Sequence, residues 1–221
     1  MKKEYDIQSR IELFPISFFR AKVENNDEIK NILVPKIVKD SEELLIPEGW
    51  FTHKLRTSFS GEKPGKEVFF GEDNTYQSIL EQKYARCFDR FFDYNYQVMI
   101  DEIWYNCYLT DEYQEEHDHL GGPFNNVQFS CIHFLSFDKT THNPPVFSDP
   151  LEQVRNLSLE MERNMYDSKY SPPVEEGDFI MFPSYLRHSV APKLNSKDYP
   201  RITIAMNIKV LQYGEECQND Y

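Results

Sequence analysis

From Tyr96 onward, short runs of β-branched and aromatic residues alternate with turn residues, and this alternation constrains the fold more than any other feature of the chain. Gly121, Gly122 and Gly177 mark turns, because glycine adopts backbone conformations that other residues avoid. Residues 150–173 are polar and irregular, which indicates an excursion from the sheet. The pattern predicts strands at 97–109, 127–137, 146–149, 179–182 and 201–210.

The N-terminal part of the chain has a mixed character. Residues 12–23 are predicted as a strand, and residues 26–38 as a helix that Pro35 interrupts, since proline lacks the backbone N–H of a helix interior. The clearest helix is predicted at 76–92, with an N-cap within 73–75. We expect it to cover the back of a sheet, because apolar residues recur on one face at Tyr76, Ile79, Leu80, Tyr84, Cys87, Phe88 and Phe91.

The length of 221 residues is in the range of one domain. We therefore expect a single mainly β (α+β) domain over 1–221. Its predicted parts are a helical and extended support region at 1–94, a β core at 95–212 and a polar tail at 213–221. Hydrophobic residues make up 40% of the chain, which is enough for a buried core.

Composition excludes several classes of partner. Acidic residues outnumber basic residues 37 to 24, and the basic residues are scattered, so nonspecific nucleic-acid binding is not expected. The four cysteines form no CxxC pair, which fits buried thiols in a reducing compartment. No stretch approaches the roughly 18 apolar residues of a membrane span, and no secretion signal is recognisable. The expected location is the cytoplasm, and a homodimer is compatible with the chain.

The histidines form the strongest candidate site. His117 and His119 lie two residues apart after a strand, so in extended backbone both imidazoles project from one face, whereas Asp118 points the other way unless a bulge reverses the choice. His188 follows the predicted strand 179–182 through a turn that would bring it back across a barrel mouth. These residues predict a metal site of converging imidazoles.

Arg201 opens the last predicted strand, where it shares one face with Thr203 and Ala205. If that face lines the barrel interior, a lone arginine there requires an anion. Imidazoles suit iron, zinc, copper or nickel, and a guanidinium near the metal suits a carboxylate-bearing cosubstrate. The order and spacing of these residues favour a metal site over incidental histidines.

Residues 104–207 resemble the 2-oxoglutarate and Fe(II)-dependent oxygenase superfamily, which folds as a double-stranded β-helix, a jelly-roll or cupin-like barrel. The resemblance is carried by residues 117–119 (HDH), 130–134 (SCIHF) and 182–188 (FPSYLRH), and it points to a small bacterial and phage branch. His133 replaces an aromatic residue of that branch and is interpreted as a strand residue. For a phage-encoded member, the expected location is the host cytoplasm.

The resemblance implies that His117, His119 and His188 bind Fe(II), with Asp118 as the alternative to His119 because the superfamily's middle ligand is usually a carboxylate. It implies no catalytic residue beyond the metal centre. Binding of 2-oxoglutarate is implied for Arg201, Thr203, Tyr108 and Asn106. The implied reaction oxidises an unidentified substrate with O2, hydroxylation being the expected outcome, and releases succinate and CO2.

Two other functions use the same histidines. A zinc centre that activates water needs similar ligands but leaves Arg201 unexplained. A non-catalytic cupin-like barrel that binds a metal or ligand is disfavoured, because the glutamate expected shortly after a cupin HxH is absent. Remaining residues are assigned structural roles: Trp50 and Trp104 in the core, and His53 and His142 on the surface.

Overall fold

The computed structural model describes residues 16–42, 55–59, 75–92, 96–120, 127–154, 167–192 and 199–212. Their strands form two antiparallel sheets. In spatial order, the larger sheet contains β1 Phe19–Lys22, β8 Asp178–Pro183, β5 Phe129–Ser136, β10 Arg201–Gln212, β3 Tyr96–Tyr108 and β2 Arg56–Thr57. The smaller sheet contains β4 Gln114–His117, β9 His188–Val190, β6 Val146–Ser148 and β7 Lys169–Tyr170. This is the predicted mainly β architecture.

Alternating residues of the larger sheet face two different cores, as the period of two in a strand requires. On β10, Ile202, Ile204 and Met206 belong to one buried cluster, whereas Arg201 and Thr203 face the smaller sheet and line a pocket there. A second cluster joins the two sheets and comprises Ile132, Phe134, Phe137, Phe147, Val174, Ile180, Phe182 and Leu186. The two sheets therefore pack face to face, with the pocket beside their shared apolar core.

Two helices cover the outer face of the larger sheet: α1 (Asn26–Ser41) and α2 (Thr75–Phe88). Among the described side chains of α2, Leu80, Tyr84, Cys87 and Phe88 are buried and join the outer cluster with residues of β3, β5, β8 and β10. The predicted covering helix is therefore present, and it ends at Phe88 before a turn. Residues 73 and 74 of its predicted N-cap lie outside the described residues.

The prediction that Pro35 interrupts the first helix is wrong. Helix α1 continues to Ser41 and buries Ile29, Leu33 and Ile37, spaced four residues apart, against the sheet. Pro35 is exposed, as is Asn31, the residue whose carbonyl the missing N–H would reach, so water can satisfy that carbonyl. Packing of the apolar face outweighs the loss of one helical hydrogen bond.

The predicted strands in the C-terminal half are all present, with ends that shift by at most a few residues. Residues 16–23 of the predicted strand 12–23 are described, and within them the strand is β1, which pairs with β8 at one edge of the larger sheet. The short strands β2, β4, β7 and β9 were not predicted as strands. None of the described helices is long and apolar enough to cross a membrane.

Candidate metal centre

Two histidines of the smaller sheet and a third from the segment that follows β4 converge in the pocket between the sheets. His117 ends β4, His188 begins β9, and the two are direct partners in the strand pairing. Candidate ligand nitrogens of His117, His119 and His188 lie within 4.8 Å of one another. The ring centroids are 4.3 Å apart for His117 and His188, 5.3 Å for His117 and His119, and 5.2 Å for His119 and His188.

His119 lies at a bend two residues after the end of β4, and its ring stacks beside that of His117. The backbone N–H of His119 donates to the Ser184 carbonyl at 2.9 Å, which fixes this segment to the turn before β9. Asp118 lies between them with an exposed side chain, and its Oδ1 accepts the backbone N–H of Leu120 at 3.0 Å. The carboxylate therefore points away from the cluster of imidazoles.

Backbone carbonyls fix the proton positions of two of the imidazoles. His117 Nδ1 lies 2.8 Å from the Glu115 carbonyl, and His188 Nδ1 lies 3.1 Å from the Leu186 carbonyl. Because a carbonyl oxygen can only accept, each Nδ1 carries the hydrogen and each Nε2 keeps its lone pair. Metal-binding histidines are commonly oriented in this way through their other ring nitrogen.

His119 is held by side chains instead. Its Nδ1 lies 2.7 Å from both Asn207 Oδ1 and Ser130 Oγ. The Asn207 amide in turn donates from Nδ2 to Glu102 Oε2 at 2.8 Å. The Nδ1 atom of His119 thus also has hydrogen-bond partners, like the Nδ1 atoms of the other two imidazoles. Here the partners are side chains of β5 and β10, and β3 supports them through Glu102.

Burial keeps the three imidazoles neutral. Desolvation lowers the pKa of His117, lowers that of His119 to about 4, and lowers that of His188 well below its ordinary value. Mutual repulsion of the imidazolium charges lowers the pKa of His119 and His188 further. At neutral pH the rings are therefore unprotonated at the ligand nitrogen, which is the state that binds a metal.

Arg201 is buried in the same pocket, with an exposed fraction of only 2%. Its guanidinium carbon lies 4.4 Å from the centroid of the Tyr108 ring, and burial lowers its pKa. Its Nε and Nη1 atoms have no hydrogen-bond partner, and no Asp or Glu within the described ranges pairs with it. A buried guanidinium with free donors is suited to a carboxylate ligand.

The pocket contains every site residue predicted from the sequence except Asp118. Asn106, Tyr108 and Thr203 line it together with the three histidines and Arg201, and the Oδ1 atom of Asn106 is buried without a hydrogen-bond partner. No Asp or Glu is among its described lining residues, which also include Trp104, Gln114, Ile132, Val190 and Ala205. Neutral imidazoles beside an unpaired guanidinium fit Fe(II) and a dicarboxylate cosubstrate.

Sequence analysis missed four residues around this site: Gln114, Ser130, Asn207 and Glu102. Gln114 accepts the Tyr108 hydroxyl at 2.7 Å, and its Nε2 lies 3.2 Å from His117 Nε2. The site position of Asn207 could have been predicted from the sequence, since Asn207 continues the alternate face of β10 that begins with Arg201. Gln114 and Glu102 had none, because their roles depend on which strands become neighbours.

Two further histidines have structural roles. His133 is fully buried on the helix-facing side of β5, as predicted for a strand residue. Its Nδ1 forms a hydrogen bond with the Tyr84 hydroxyl at 2.9 Å, and its Nε2 forms one with Asn26 Oδ1 at 2.7 Å. The assignment of His142 to the surface is wrong. Its side chain is 1% exposed, and its Nδ1 accepts the backbone N–H of Asp138 at 3.0 Å, which closes a turn. His53 and Trp50 lie outside the described residues.

Comparison with protein families gives a match at residues 102–207, close to half of the chain, to a family described as "Putative 2OG-Fe(II) oxygenase". The matched segment contains the three histidines, Arg201 and the residues between them. This match confirms the resemblance seen in the sequence, and Fe(II) and 2-oxoglutarate are the cofactor and cosubstrate that the family description names. A comparison with curated proteins finds no match.

Solved structures share the fold. A prolyl-4-hydroxylase from Pseudomonas putida aligns at 10% identity and a TM-score of 0.54, covering 88% of this chain and 92% of that one. HygX from Streptomyces hygroscopicus, solved with nickel, 2-oxoglutarate and hygromycin B, aligns at 10% identity and 0.54, covering 90% and 84%. The α-ketoglutarate-dependent epimerase SnoN of nogalamycin biosynthesis aligns at 10% identity and 0.60, covering 93% and 85%. The double-stranded β-helix is therefore confirmed.

Proposed function

We propose, on the premise that residues 102–207 place this chain in the 2OG-Fe(II) oxygenase family, that His117, His119 and His188 hold Fe(II) and that Arg201 anchors 2-oxoglutarate beside it. The proposed reaction is the oxidation, and specifically the hydroxylation, of a substrate with release of succinate and CO2. In this proposal His119, and not Asp118, is the middle ligand.

The observation that carries the proposal is the presence of both binding partners in one pocket. His117 and His188 come from the smaller sheet, His119 comes from the segment after β4, and Arg201 comes from the facing strand β10 of the larger sheet. A dicarboxylate that reaches from the imidazoles to Arg201 could use one carboxylate at the metal and the other at the guanidinium. Nothing in the described pocket neutralises Arg201 in the absence of such a ligand.

The residues around Arg201 prepare it for an anion. The Tyr108 ring supports the guanidinium from one face, and the Tyr108 hydroxyl is held in place by Gln114. Thr203, two residues along the same face of β10, offers a hydroxyl donor to the same carboxylate. Asn106 lies between Trp104 and Tyr108 on the alternate face of β3, where its unpartnered Oδ1 can accept from cosubstrate or substrate.

Iron(II) with 2-oxoglutarate, when bound, supplies the activation of O2 and two of the electrons that its reduction consumes. The protein positions these groups and limits access of water. Trp104 packs beside His119 with ring centroids 5.6 Å apart, and Ile132 closes the pocket from β5. Phe59, which is 39% exposed, packs on Trp104 at 4.8 Å, so we propose that the substrate approaches over this aromatic pair.

A zinc hydrolase is the second reading of three histidines. Such an enzyme uses a general base beside the metal-bound water, commonly a carboxylate, and no carboxylate is among the described residues that line the pocket. It also gives Arg201 no role. A non-catalytic cupin-like barrel is disfavoured because the glutamate expected shortly after a cupin HxH is absent. We therefore favour the oxygenase.

The proposal is tested by anaerobic titration. Purified protein with one equivalent of Fe(II) should develop a weak visible charge-transfer band on addition of 2-oxoglutarate, and exposure to O2 should then release succinate. A matched sample with Zn(II) should bind without the band. Intact iron binding that gives no band with 2-oxoglutarate would contradict the assignment of an oxygenase.

A further inference from the structure

Three polar side chains form a row across the larger sheet behind His119. Asn207 on β10 pairs directly with Glu102 on β3 and with Ser130 on β5. Their register places all three on one face, and the position follows Ala205 along the pocket side of β10. The pairing of β10 with β3 is irregular immediately after Asn207. The row therefore lies at the point where the regular ladder ends.

The hydrogen bonds in this row have a fixed direction. An ionised carboxylate only accepts, so Glu102 requires the NH2 side of the Asn207 amide, at 2.8 Å. The Oδ1 side then faces His119 and Ser130, at 2.7 Å and 3.0 Å. His119 Nδ1 must consequently donate. Its Nε2 is thereby left with a lone pair for the metal.

The ligand set itself lacks a negative charge. Three neutral imidazoles leave one more positive charge on a divalent ion than two imidazoles and a carboxylate would. The carboxylate of Glu102 is joined to His119 by a single intervening amide, and it carries a negative charge that polarises the chain of hydrogen bonds toward the imidazole.

We propose that Glu102 is a positioning residue for the metal: through Asn207 it fixes His119 as an Nε2 ligand and supplies the negative charge that the ligand set lacks. This inference rests on the proposed function. Polar partners behind ligating histidines raise ligand basicity and typically account for about a 10- to 100-fold difference in metal affinity.

A neighbouring pair on the same strands provides the matched control. Asp101, which precedes Glu102 on β3, forms an ion pair with Lys209 of β10 at 2.6 Å. Asp101 lies at the register shift between β3 and β10, and its carboxylate pairs with Lys209 rather than with the row of Ser130, Asn207 and Glu102 behind His119. Glu102→Gln and Asp101→Asn each remove one negative charge from β3 without changing side-chain shape. Only Glu102→Gln removes the constraint that fixes which side of the Asn207 amide faces His119.

The probe is Co(II), whose visible spectrum reports its coordination, and the measured quantity is its dissociation constant in the full chain. Glu102→Gln should weaken Co(II) binding about 10- to 100-fold and alter the visible spectrum, whereas Asp101→Asn should leave both unchanged. Urea unfolding of the metal-free variants checks that each is folded. A Glu102→Gln protein with wild-type Co(II) affinity overturns the inference.

A double substitution tests the relay by exchanging its parts. In Glu102→Gln/Asn207→Asp, the amide at 102 can donate to the carboxylate at 207, which accepts from His119 and Ser130. The fixed direction and the charge are both restored, so Co(II) affinity should recover to at least the wild-type value. Affinity as weak as that of the single variant contradicts the relay. Absence of Co(II) binding by the wild-type protein overturns the metal site itself, whereas tight wild-type binding that Glu102→Gln leaves unchanged overturns this inference alone.

Discussion

His117 and His188 are direct partners in the pairing of β4 with β9, and their imidazole rings lie 4.3 Å apart. Each ring holds its Nδ1 hydrogen on a backbone carbonyl two residues earlier in its own segment. Two of the three proposed ligands are thus arranged by main-chain hydrogen bonds. Folding of the smaller sheet therefore orients both rings of the proposed metal site.

The choice of middle ligand can be tested with adjacent substitutions. His119→Ala removes one of the three candidate ligand nitrogens and should therefore lower Fe(II) affinity by more than about 100-fold. Loss of a residue that only supports a ligand can cost roughly 100-fold. Asp118→Ala removes only an exposed carboxylate that bonds to the backbone of Leu120, so affinity should not change. Anaerobic Fe(II) titration measures both. The opposite ranking would establish a site of two histidines and one carboxylate.

Arg201→Gln should weaken 2-oxoglutarate binding without loss of the metal. The substitution removes a charge-assisted interaction of about 1.5–3 kcal/mol, or roughly 10- to 100-fold in the dissociation constant. Arg187→Gln is the matched control, because Arg187 is exposed and pairs with Glu116 outside the pocket. Calorimetric titration with 2-oxoglutarate in the presence of Mn(II) compares them. Equal affinity in the two variants would assign Arg201 a structural role.

Tyr108 should act through its ring more than through its hydroxyl. Tyr108→Phe keeps the ring beneath Arg201 but removes the hydroxyl's hydrogen bond to the guanidinium and leaves Gln114 Oε1 buried without its donor. The free energy of unfolding should therefore fall by about 1–3 kcal/mol, while the ring still positions Arg201 and most of the 2-oxoglutarate affinity is preserved. Tyr108→Leu removes the ring as well and should also weaken 2-oxoglutarate binding. Urea unfolding and ligand titration separate the two effects. If Tyr108→Phe alone abolished 2-oxoglutarate binding, the hydroxyl would be the contact.

His133 predicts how stability depends on pH. Burial lowers the pKa of His133 to about 3 from an ordinary value of 6.5, so between these values the unfolded chain binds a proton that the folded chain does not. Its contribution is complete above pH 6.5 and is lost as pH falls, by about 1.4 kcal/mol per pH unit. His133→Gln should be less stable at pH 7 but should lose less stability between pH 6.5 and 4.5, as measured by urea unfolding of metal-free protein. A parallel loss in both proteins would contradict this assignment.

The sequence predicted the elements whose signal is local. Strand β10 repeats apolar residues with a period of two on one face, and Arg201 stands out because it is a charge that opens the alternate face. The apolar stripe of α2 was equally clear. Strands of two to four residues, such as β2, β4 and β9, are too short to carry a pattern of their own, and they form because a neighbouring strand pairs with them.

Contacts between distant segments were beyond the sequence. No sequence feature near His119 predicts that its Nδ1 will form a hydrogen bond with Asn207, 88 positions later. His142 was assigned to the surface, yet it is buried as the closing group of a turn. The prediction that Pro35 interrupts the helix was wrong for a related reason. Whether a helix tolerates a proline is decided here by the packing of α1 on the sheet, which is a contact between distant segments.

The most direct test of the central claim is a crystal structure of the full chain grown without O2 in the presence of Mn(II) and 2-oxoglutarate, with anomalous scattering recorded for the metal. We predict one anomalous peak at bonding distance, roughly 2 Å, from the Nε2 atoms of His117, His119 and His188, and a 2-oxoglutarate carboxylate on the Arg201 guanidinium. A peak bound by Asp118, or a metal located away from the three histidines, would contradict the account.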